Sequence, residues 1–259
     1  LTFISRGVFV PIPIASLFDD DNNIHCQPTP KDIEKMSKGW KDIPLGLSDI
    51  PDVGPPEQYS KEHDEDLKFV KACFLKPVNS DKFLKVSDEK PFDLFVIYCK
   101  KNNLKLDVQK YDNLNEQLSS LILTLKFKYN RPRPKKYMES SNDSFVFPKI
   151  SEMSSPSYPS GHTAHAFFNA NLLSKEYPEH ETKLRTIAEM IAQSRIDLAK
   201  HYPTDCSYGR FIGELASNVY NSKQKNKTHV RIKEGKLNSM QRKQGRELLY
   251  NAKEKHDEE

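Results

Sequence analysis

Residues 158–165 read YPSGHTAH, and this stretch marks the start of a helix. Pro159 stiffens the chain, Ser160 is a residue type that favours helix N-caps, and Gly161 lets the backbone approach a ligand closely. The free amides of a first helical turn, together with the helix dipole, favour a bound anion. The stretch therefore predicts a helix that begins at Ser160 and presents an anion site, with His162 beside it.

The composition limits the class of protein. The chain has 259 residues, 36% of them hydrophobic and 29% charged, which suits one good-sized domain. No apolar run approaches the about 18 residues of a membrane span, so we expect a soluble protein without a transmembrane segment. The net charge of +4 is spread out and does not indicate nucleic-acid binding. The four cysteines lack metal spacing, and either disulfides or free thiols are compatible with them.

Composition and periodicity divide the chain into three parts. Residues 1–60 are rich in Pro, Asp and Asn and predict an irregular arm packed on the main domain. Residues 61–220 carry helical patterns and few strand patterns, so the predicted class is all-α. Residues 221–259 are rich in Lys and Arg, which predicts a solvated helix, a disordered tail or a partner-binding arm.

Four helices can be placed from residue 111 onwards. Apolar residues recur every three or four positions from 111 to 130, and that helix must end before Pro132. Residues 131–157 predict a long loop. Further helices are expected from Ser160, from about Glu181 to Lys200, and from near Pro203.

Three cations from separate elements are predicted to face the interior. Arg195 continues the apolar stripe of the helix predicted over residues 181–200. Lys126 lies at the edge of the buried stripe of the helix predicted over residues 111–130, and Arg133 follows the end of that helix. An internal salt bridge would explain Arg195 alone, and a snorkelling side chain would explain Lys126 alone. Together the three favour a pocket for an anion with more than one negative charge.

The last candidate site residues along the chain are His201 and Asp205, which lie four residues apart with Pro203 between them. A carboxylate that accepts the Nδ1 proton of a histidine leaves the Nε2 lone pair available as a nucleophile. A structural His–Asp hydrogen bond is the alternative. His165 lies one turn after His162 and is interpreted as a packing residue or a residue behind the site.

Taken in order, these motifs resemble the type-2 phosphatidic acid phosphatase superfamily. They are Lys126-x6-Arg133-Pro134, Pro159-Ser160-Gly161-His162 and Ser194-Arg195-x5-His201-x3-Asp205. The superfamily includes bacterial class A non-specific acid phosphatases, lipid phosphatases, glucose-6-phosphatase and vanadium haloperoxidases. The segment KFKYNRPRP, with Tyr129 and Arg131, is most similar to the class A enzymes, although Ala199 stands where a glycine is often found.

The resemblance implies a helical bundle of the acid phosphatase and vanadium haloperoxidase type and a metal-independent phosphomonoesterase. His201 would attack phosphorus to form a phosphohistidine, Asp205 would orient it, and His162 would protonate the leaving oxygen and then activate water. The implied phosphate-binding residues are Lys126, Arg133, Ser160, Gly161 and Arg195. The implied partner is a small phosphorylated substrate, and no cofactor is expected.

Two other functions are compatible with these motifs. A vanadate-dependent haloperoxidase would use the same cations to hold vanadate as its cofactor. A non-catalytic structural protein could retain the fold, although the intact histidines and aspartate argue against it. Class A relatives often form dimers, so a homodimer is allowed. The resemblance implies a periplasmic or secreted protein, or a cytoplasmic one if no leader was removed.

Overall fold

The computed structural model describes residues 2–5, 8–11, 26–139, 145–147 and 153–224. Residues 1–219 form one compact unit and residues 220–259 a second. Of the charged tail predicted over residues 221–259, residues 221–224 are helical and the remainder lies outside the described residues.

Helices make up most of the described chain, which confirms the predicted all-α class. They are α1 (Pro30–Ser37), α2 (Lys61–Leu75), α3 (Asp81–Glu89), α4 (Pro91–Lys101), α5 (Val108–Tyr129), α6 (Pro134–Glu139), α7 (Gly161–Glu176), α8 (Glu181–Asp197) and α9 (residues 203–224). Strands β1 (Thr2–Ser5) and β2 (Val8–Pro11) form an antiparallel hairpin. Short 3₁₀ turns lie at Leu47–Asp49 and Pro178–His180.

Two segments contain more regular structure than the sequence predicts. The arm expected to be irregular over residues 1–60 includes the hairpin and α1, which begins at a capping box formed by Thr29 and Asp32. The loop expected over residues 131–157 includes α6, because Pro134 occupies a first helical position that suits proline. Both helices are too short for their periodicity to stand out in the sequence.

Helix α7 lies at the centre of the helical unit and packs against α4, α5 and α8. Its small and aromatic residues are buried on several faces, among them Ala164, Phe167 and Phe168. Two glycines on α9 allow that helix to approach α7 closely. A Cβ at Gly209 would collide with the carbonyl oxygen of Ser160, and a Cβ at Gly213 would collide with that of Ala164. The backbone at the start of α7 is therefore fixed by α9.

The helix ends bring functional segments to this same region. Helix α5 stops at Asn130, which adopts a left-handed φ of 47° and donates its amide to the carbonyl of Lys126. Helix α8 ends at Asp197, and Ala199 then turns the chain with a φ of 50°. The residues after both helices consequently return across the N-terminus of α7.

Ala199 is a non-glycine residue in the left-handed region, which costs a residue with a Cβ about 1 kcal/mol relative to glycine. We expect Ala199→Gly to raise the free energy of unfolding by about 0.5 kcal/mol, since the greater freedom of glycine in the unfolded chain offsets part of the gain. Urea unfolding measures the change. As a control, Ala192→Gly in α8 should destabilise by about 1 kcal/mol. Destabilisation by both variants would contradict the strain at Ala199.

Candidate active site

The structure brings the eight predicted site residues together at one end of the bundle. Lys126 lies in the last turn of α5, Ser160 and Gly161 begin α7, and Arg195 lies in the last turn of α8. Contacts join the separate elements: Arg133 Nη1 lies 3.3 Å from His201 Nε2, and the Ser160 amide donates to the Asp205 carbonyl at 2.9 Å. These residues come from positions up to 79 apart in sequence and share one buried site.

His201 and Asp205 form a hydrogen-bonded pair away from solvent. Nδ1 of His201 lies 3.2 Å from Oδ2 of Asp205, and neither residue is exposed. Burial, followed by the charge of Arg133, lowers the pKa of His201 well below its ordinary value. The imidazole is therefore neutral, and with its Nδ1 proton donated to Asp205 its Nε2 carries a lone pair that faces the Arg133 guanidinium.

Asp205 is held as a carboxylate by four donors. Its Oδ1 accepts from Arg131 at 2.7 Å, and its Oδ2 accepts from the Tyr202 amide at 2.9 Å and from the Ser157 hydroxyl, besides His201. Burial opposes its ionisation, but the hydrogen bond from His201 and the charge of Arg131 outweigh burial and lower the pKa of Asp205. Asp205 therefore fixes both the tautomer and the orientation of His201.

His162 lies on the first turn of α7, as predicted. Its Nε2 is 3.1 Å from the backbone carbonyl of Asp88, an arrangement in which Nε2 carries the proton. Burial, followed by the charge of Arg195, lowers the pKa of His162 well below its ordinary value. A bound dianion would counter the Arg195 charge and favour the protonated imidazole.

Lys126 and Arg133 are held mainly by backbone carbonyls. Lys126 Nζ donates to the carbonyls of Pro156 at 2.6 Å and Ser157 at 3.1 Å, and only 4% of the residue is exposed. Arg133 donates to the carbonyls of Ser155 and Lys200 at 2.9 and 2.7 Å. Burial, followed by the neighbouring Arg133, lowers the pKa of Lys126, and burial lowers that of Arg133 to about 10. Both cations are thus incompletely neutralised.

Arg195 combines an ion pair with an unused donor. Its Nη1 donates to Oδ1 of Asp88 at 2.8 Å, so the internal salt bridge considered from the sequence does exist. Its Nη2 is buried and has no hydrogen-bond partner among the described residues. A buried guanidinium nitrogen without an acceptor is costly, which favours an anion at this position.

Ser160 caps α7 differently from the prediction. Its hydroxyl lies 2.9 Å from the Thr163 hydroxyl and makes no capping hydrogen bond to a backbone amide. Its own amide donates to Asp205, so the backbone donors left for a ligand are those that follow it in the first turn. Gly161 contributes space there, because a Cβ would contact Ile122 at 3.4 Å and Lys126 at 3.9 Å.

Four residues of the site carry no role in the sequence interpretation: Asp66, Asp88, Arg131 and Lys200. Asp88 Oδ1 accepts from Lys200 at 2.6 Å as well as from Arg195. Arg131 donates to Asp66 at 3.0 Å and lies 3.8 Å from the ring centre of Tyr202. Asp88 follows buried Leu84 by four residues, so the argument that singled out Arg195, a charge on an apolar stripe, also applies to Asp88.

His165 packs behind the site, as the sequence suggests. Its Nδ1 lies 2.7 Å from the Gly161 carbonyl and its Nε2 lies 3.0 Å from the Ser119 hydroxyl, so it joins α7 to α5. All four cysteines are free thiols.

Comparison with known proteins identifies the region that contains this site. Residues 116–228 match the PAP2 superfamily. The chain contains a PAP2 superfamily domain. That match covers all three motifs, from Lys126 to Asp205, whereas α1 to α4 precede it.

Two curated relatives align with part of the PAP2 domain. Over 59 residues the chain is 37% identical to a non-specific acid phosphatase of Salmonella typhi and 39% identical to one of Salmonella typhimurium. Each alignment covers 23% of this chain and 24% of the relative, so about a quarter of each curated protein is matched. Among solved structures, a bacterial vanadium-dependent iodoperoxidase has a TM-score of 0.53 at 17% identity, over 80% of this chain and 62% of that one. The similarity to the iodoperoxidase concerns the fold alone.

Neither a metal cluster nor a membrane span is found in the part of the chain that the structure describes. There, no group of three or more His, Cys, Asp and Glu side chains could hold a metal ion. No helix within the same ranges combines the length and apolarity that crossing a bilayer demands.

Buried neutral histidines make the PAP2 domain sensitive to acid. The pKa values of His162, His165 and His201 are lowered in the folded state, so below pH 6.5 the unfolded chain binds protons that the folded chain does not. Stability therefore falls as the pH decreases from 6.5, by up to about 1.4 kcal/mol per pH unit for each histidine. The lowered pKa of Asp205 acts only below its unfolded value near 3.8, outside this window.

We expect the free energy of unfolding to be smaller at pH 5 than at pH 7.5, measured by urea unfolding at constant ionic strength. His165→Gln should reduce the dependence on pH, because it removes one of four histidines whose pKa is lowered by burial, the fourth being His63 on α2. Equal stability at both pH values would contradict the neutral state of these histidines.

Proposed function

We propose that this chain is a phosphatase that hydrolyses phosphomonoesters without a metal ion, through a phosphohistidine at His201. The observation that carries the proposal is the position of the His201 Nε2 lone pair, held by Asp205 and facing Arg133 in a buried cluster with excess positive charge. A neutral, oriented imidazole beside cations is the arrangement that attack on a phosphoryl group requires.

Binding of the phosphoryl group follows from the charges. The cluster has five cations, Lys126, Arg131, Arg133, Arg195 and Lys200, and three carboxylates, Asp66, Asp88 and Asp205. A phosphate dianion would balance this excess of positive charge and accept from the unpartnered Nη2 of Arg195. Lys126, Arg133, Arg195 and the first amides of α7 after Ser160 would then hold its oxygens.

In the first step, Nε2 of His201 forms a bond to phosphorus while the bond from phosphorus to the leaving oxygen breaks. His162 donates a proton to that oxygen, so the leaving group departs as an alcohol. Asp205 stabilises the positive charge on the imidazole of His201, and the cations stabilise charge on the equatorial phosphoryl oxygens.

In the second step, a water molecule attacks phosphorus and the nitrogen–phosphorus bond breaks. His162, neutral after the first step, accepts a proton from the water. Inorganic phosphate is released, and His201 regains its free Nε2 lone pair, still hydrogen-bonded to Asp205 through Nδ1.

The partial matches to acid phosphatases support this reaction class. A periplasmic or secreted location, which the resemblance of the motifs to the class A enzymes implies, is part of the same proposal. The iodoperoxidase likeness favours no particular chemistry, since it concerns the fold alone.

The direct test is release of inorganic phosphate from 4-nitrophenyl phosphate with EDTA present. We expect turnover that is unaffected by EDTA and is inhibited by vanadate, which resembles the pentacoordinate transition state and would occupy the same cations. Inhibition by EDTA, or folded protein without turnover between pH 4 and pH 8, would overturn the proposal. In the second case, bromide oxidation by peroxide after vanadate loading tests the haloperoxidase alternative.

A further inference from the structure

A carboxylate from outside the PAP2 match lies behind the His201–Asp205 pair. Asp66 is on α2, which precedes the matched residues 116–228. Its Oδ2 accepts from Nη2 of Arg131 at 3.0 Å, and Nη1 of the same guanidinium donates to Oδ1 of Asp205 at 2.7 Å. The side chains of Asp66 and Arg131 are 7% and 4% exposed, and that of Asp205 is fully buried. A buried hydrogen-bonded chain therefore runs through Asp66, Arg131, Asp205 and His201.

Thr204 closes the first part of this chain into a ring. Its hydroxyl accepts from Nη1 of Arg131 at 2.7 Å and donates to Oδ2 of Asp66. A hydroxyl has one proton, so a hydroxyl that accepts from Arg131 gives that proton to Asp66. The guanidinium consequently cannot turn away from Asp205 without breaking its contacts to Asp66 and Thr204.

Helix α2 contacts the segment that contains His201 and Asp205 at two points. His63 and Asp66 lie three residues apart on one face of α2, and both are buried. Nε2 of His63 lies 3.4 Å from the Tyr202 hydroxyl, and the Tyr202 amide donates to Oδ2 of Asp205. The buried face of α2 therefore packs directly behind the nucleophile.

Arg131 gives the two oxygens of Asp205 different partners. Oδ1 accepts from Arg131, while Oδ2 lies 3.2 Å from Nδ1 of His201. A carboxylate whose oxygens are bound to different fixed donors cannot rotate freely, so Oδ2 stays directed at the imidazole. Asp66 holds Arg131 in the position that this division requires.

The charges alternate along the chain, and this alternation gives Asp66 an electrostatic role. Arg131 alone would cancel the negative charge of Asp205, and a neutral pair would do little to stabilise the positive charge that His201 acquires when it bonds to phosphorus. With Asp66 the groups behind His201 are two carboxylates and one guanidinium, so one net negative charge remains. Stability alone does not explain this arrangement, because apolar residues often replace a buried ion pair without loss.

We propose that Asp66 is a positioning residue for the nucleophile, which acts through Arg131 on Asp205 and so on the imidazole of His201. The assignment to a reaction step rests on the proposed phosphatase function. In that reaction phosphorus bonds to Nε2, whereas this chain ends at Nδ1, the other ring nitrogen. Asp66 should therefore affect formation of the phosphohistidine and leave the binding of phosphate to the cations.

The test is Asp66→Asn, which removes the charge and keeps the size of the side chain. We expect kcat/KM for 4-nitrophenyl phosphate to fall about tenfold, the effect of one charge lost near the imidazole. The inhibition constant of inorganic phosphate should stay the same or decrease, because a cluster with one carboxylate fewer attracts an anion at least as strongly. Phosphate binding that weakens in proportion to turnover would show a merely structural role and overturn the proposal.

Glu65→Gln is the matched control, since Glu65 is the next residue on α2 and its side chain is 66% exposed. It should leave both constants unchanged. A double variant tests the route: in an Arg131→Met background, Asp66→Asn should cause no further loss of kcat/KM, because the link to Asp205 is already broken. A further tenfold loss would overturn action through Arg131.

Thr204→Val replaces Asp66→Asn if the latter fails to fold, as judged by circular dichroism. It removes the hydroxyl that joins Arg131 to Asp66 and keeps all charges. We then expect a smaller loss of kcat/KM, about threefold, again without weaker phosphate binding. Wild-type kcat/KM in folded Thr204→Val would overturn the proposal.

The Nδ1 proton of His201 gives a readout that needs no catalysis. In ¹⁵N-histidine-labelled protein its resonance is assigned by its loss in His201→Ala, and a strong hydrogen bond to the Asp205 carboxylate places it downfield. We expect it to move upfield in Asp66→Asn and to stay in place in Glu65→Gln. This shift without phosphate release from any ester would support the positioning role and overturn the phosphatase. An unchanged resonance with unchanged kcat/KM would overturn the positioning role even if phosphate is released.

Discussion

His201→Ala is expected to lower kcat for phosphate release by about 1,000-fold or more while the protein stays folded. The substitution removes the only group that forms a covalent bond to phosphorus in the proposed mechanism, and losses of this size follow removal of a nucleophile. The cations would still bind the ester, so KM should change far less than kcat. Steady-state kinetics with 4-nitrophenyl phosphate measures both constants.

A matched variant distinguishes chemistry from folding. His180 lies in the 3₁₀ turn before α8, outside the cluster around His201, and its Nδ1 is hydrogen-bonded to the Tyr98 hydroxyl. His180→Ala therefore removes a histidine that has no part in the proposed reaction. It should retain the wild-type kcat. Rapid acid-free quenching of the wild-type protein with a ³²P-labelled ester should also trap a phosphoenzyme that is stable in base and labile in acid. A His201→Ala variant with nearly wild-type kcat would exclude the phosphohistidine.

Local patterns predicted the elements that hold the motifs. Helix α5 ends before Pro132 and α8 begins at Glu181, because apolar spacing and proline act over a few residues and are visible in the sequence. The cost of burying three cations predicts that Lys126, Arg133 and Arg195 converge, and the structure places all three around His201. Their individual catalytic roles stay predictions that the experiments above address.

Contacts between residues far apart in the sequence could not be predicted from local patterns. Asp88 and Arg195 are 107 residues apart, and nothing in the nine residues of α3 identifies which cation Asp88 will meet. The carbonyl oxygens that hold Lys126 belong to an irregular segment, whose conformation depends on tertiary contacts. The sequence does not predict the close approach of α9 to α7 either, since two glycines four residues apart indicate a close approach only when the facing helix is known.

Gly209→Ala is expected to lower the free energy of unfolding by about 3 kcal/mol, at the upper end of typical overpacking effects. The new methyl group would overlap the carbonyl oxygen of Ser160, which accepts the first intrahelical hydrogen bond of α7 from Ala164 at 3.0 Å. Backbone on both sides of the contact leaves no flexible side chain to move aside. Urea unfolding measures the loss, with Gly54→Ala as control, because a Cβ at Gly54 meets nothing within 4 Å.

The same substitution links packing to catalysis. Relief of the overlap requires the start of α7 to move away from α9, which displaces the amides after Ser160 and the imidazole of His162 relative to His201. A shift of about 1 Å in reacting groups can cost about 100-fold in rate, so kcat/KM should fall under conditions where the variant is still folded. Gly213→Ala overlaps Ala164 one turn further on, away from the anion site. It should cost similar stability with a smaller loss of activity, and equal activity losses in the two variants would contradict a role of Gly209 in positioning the site.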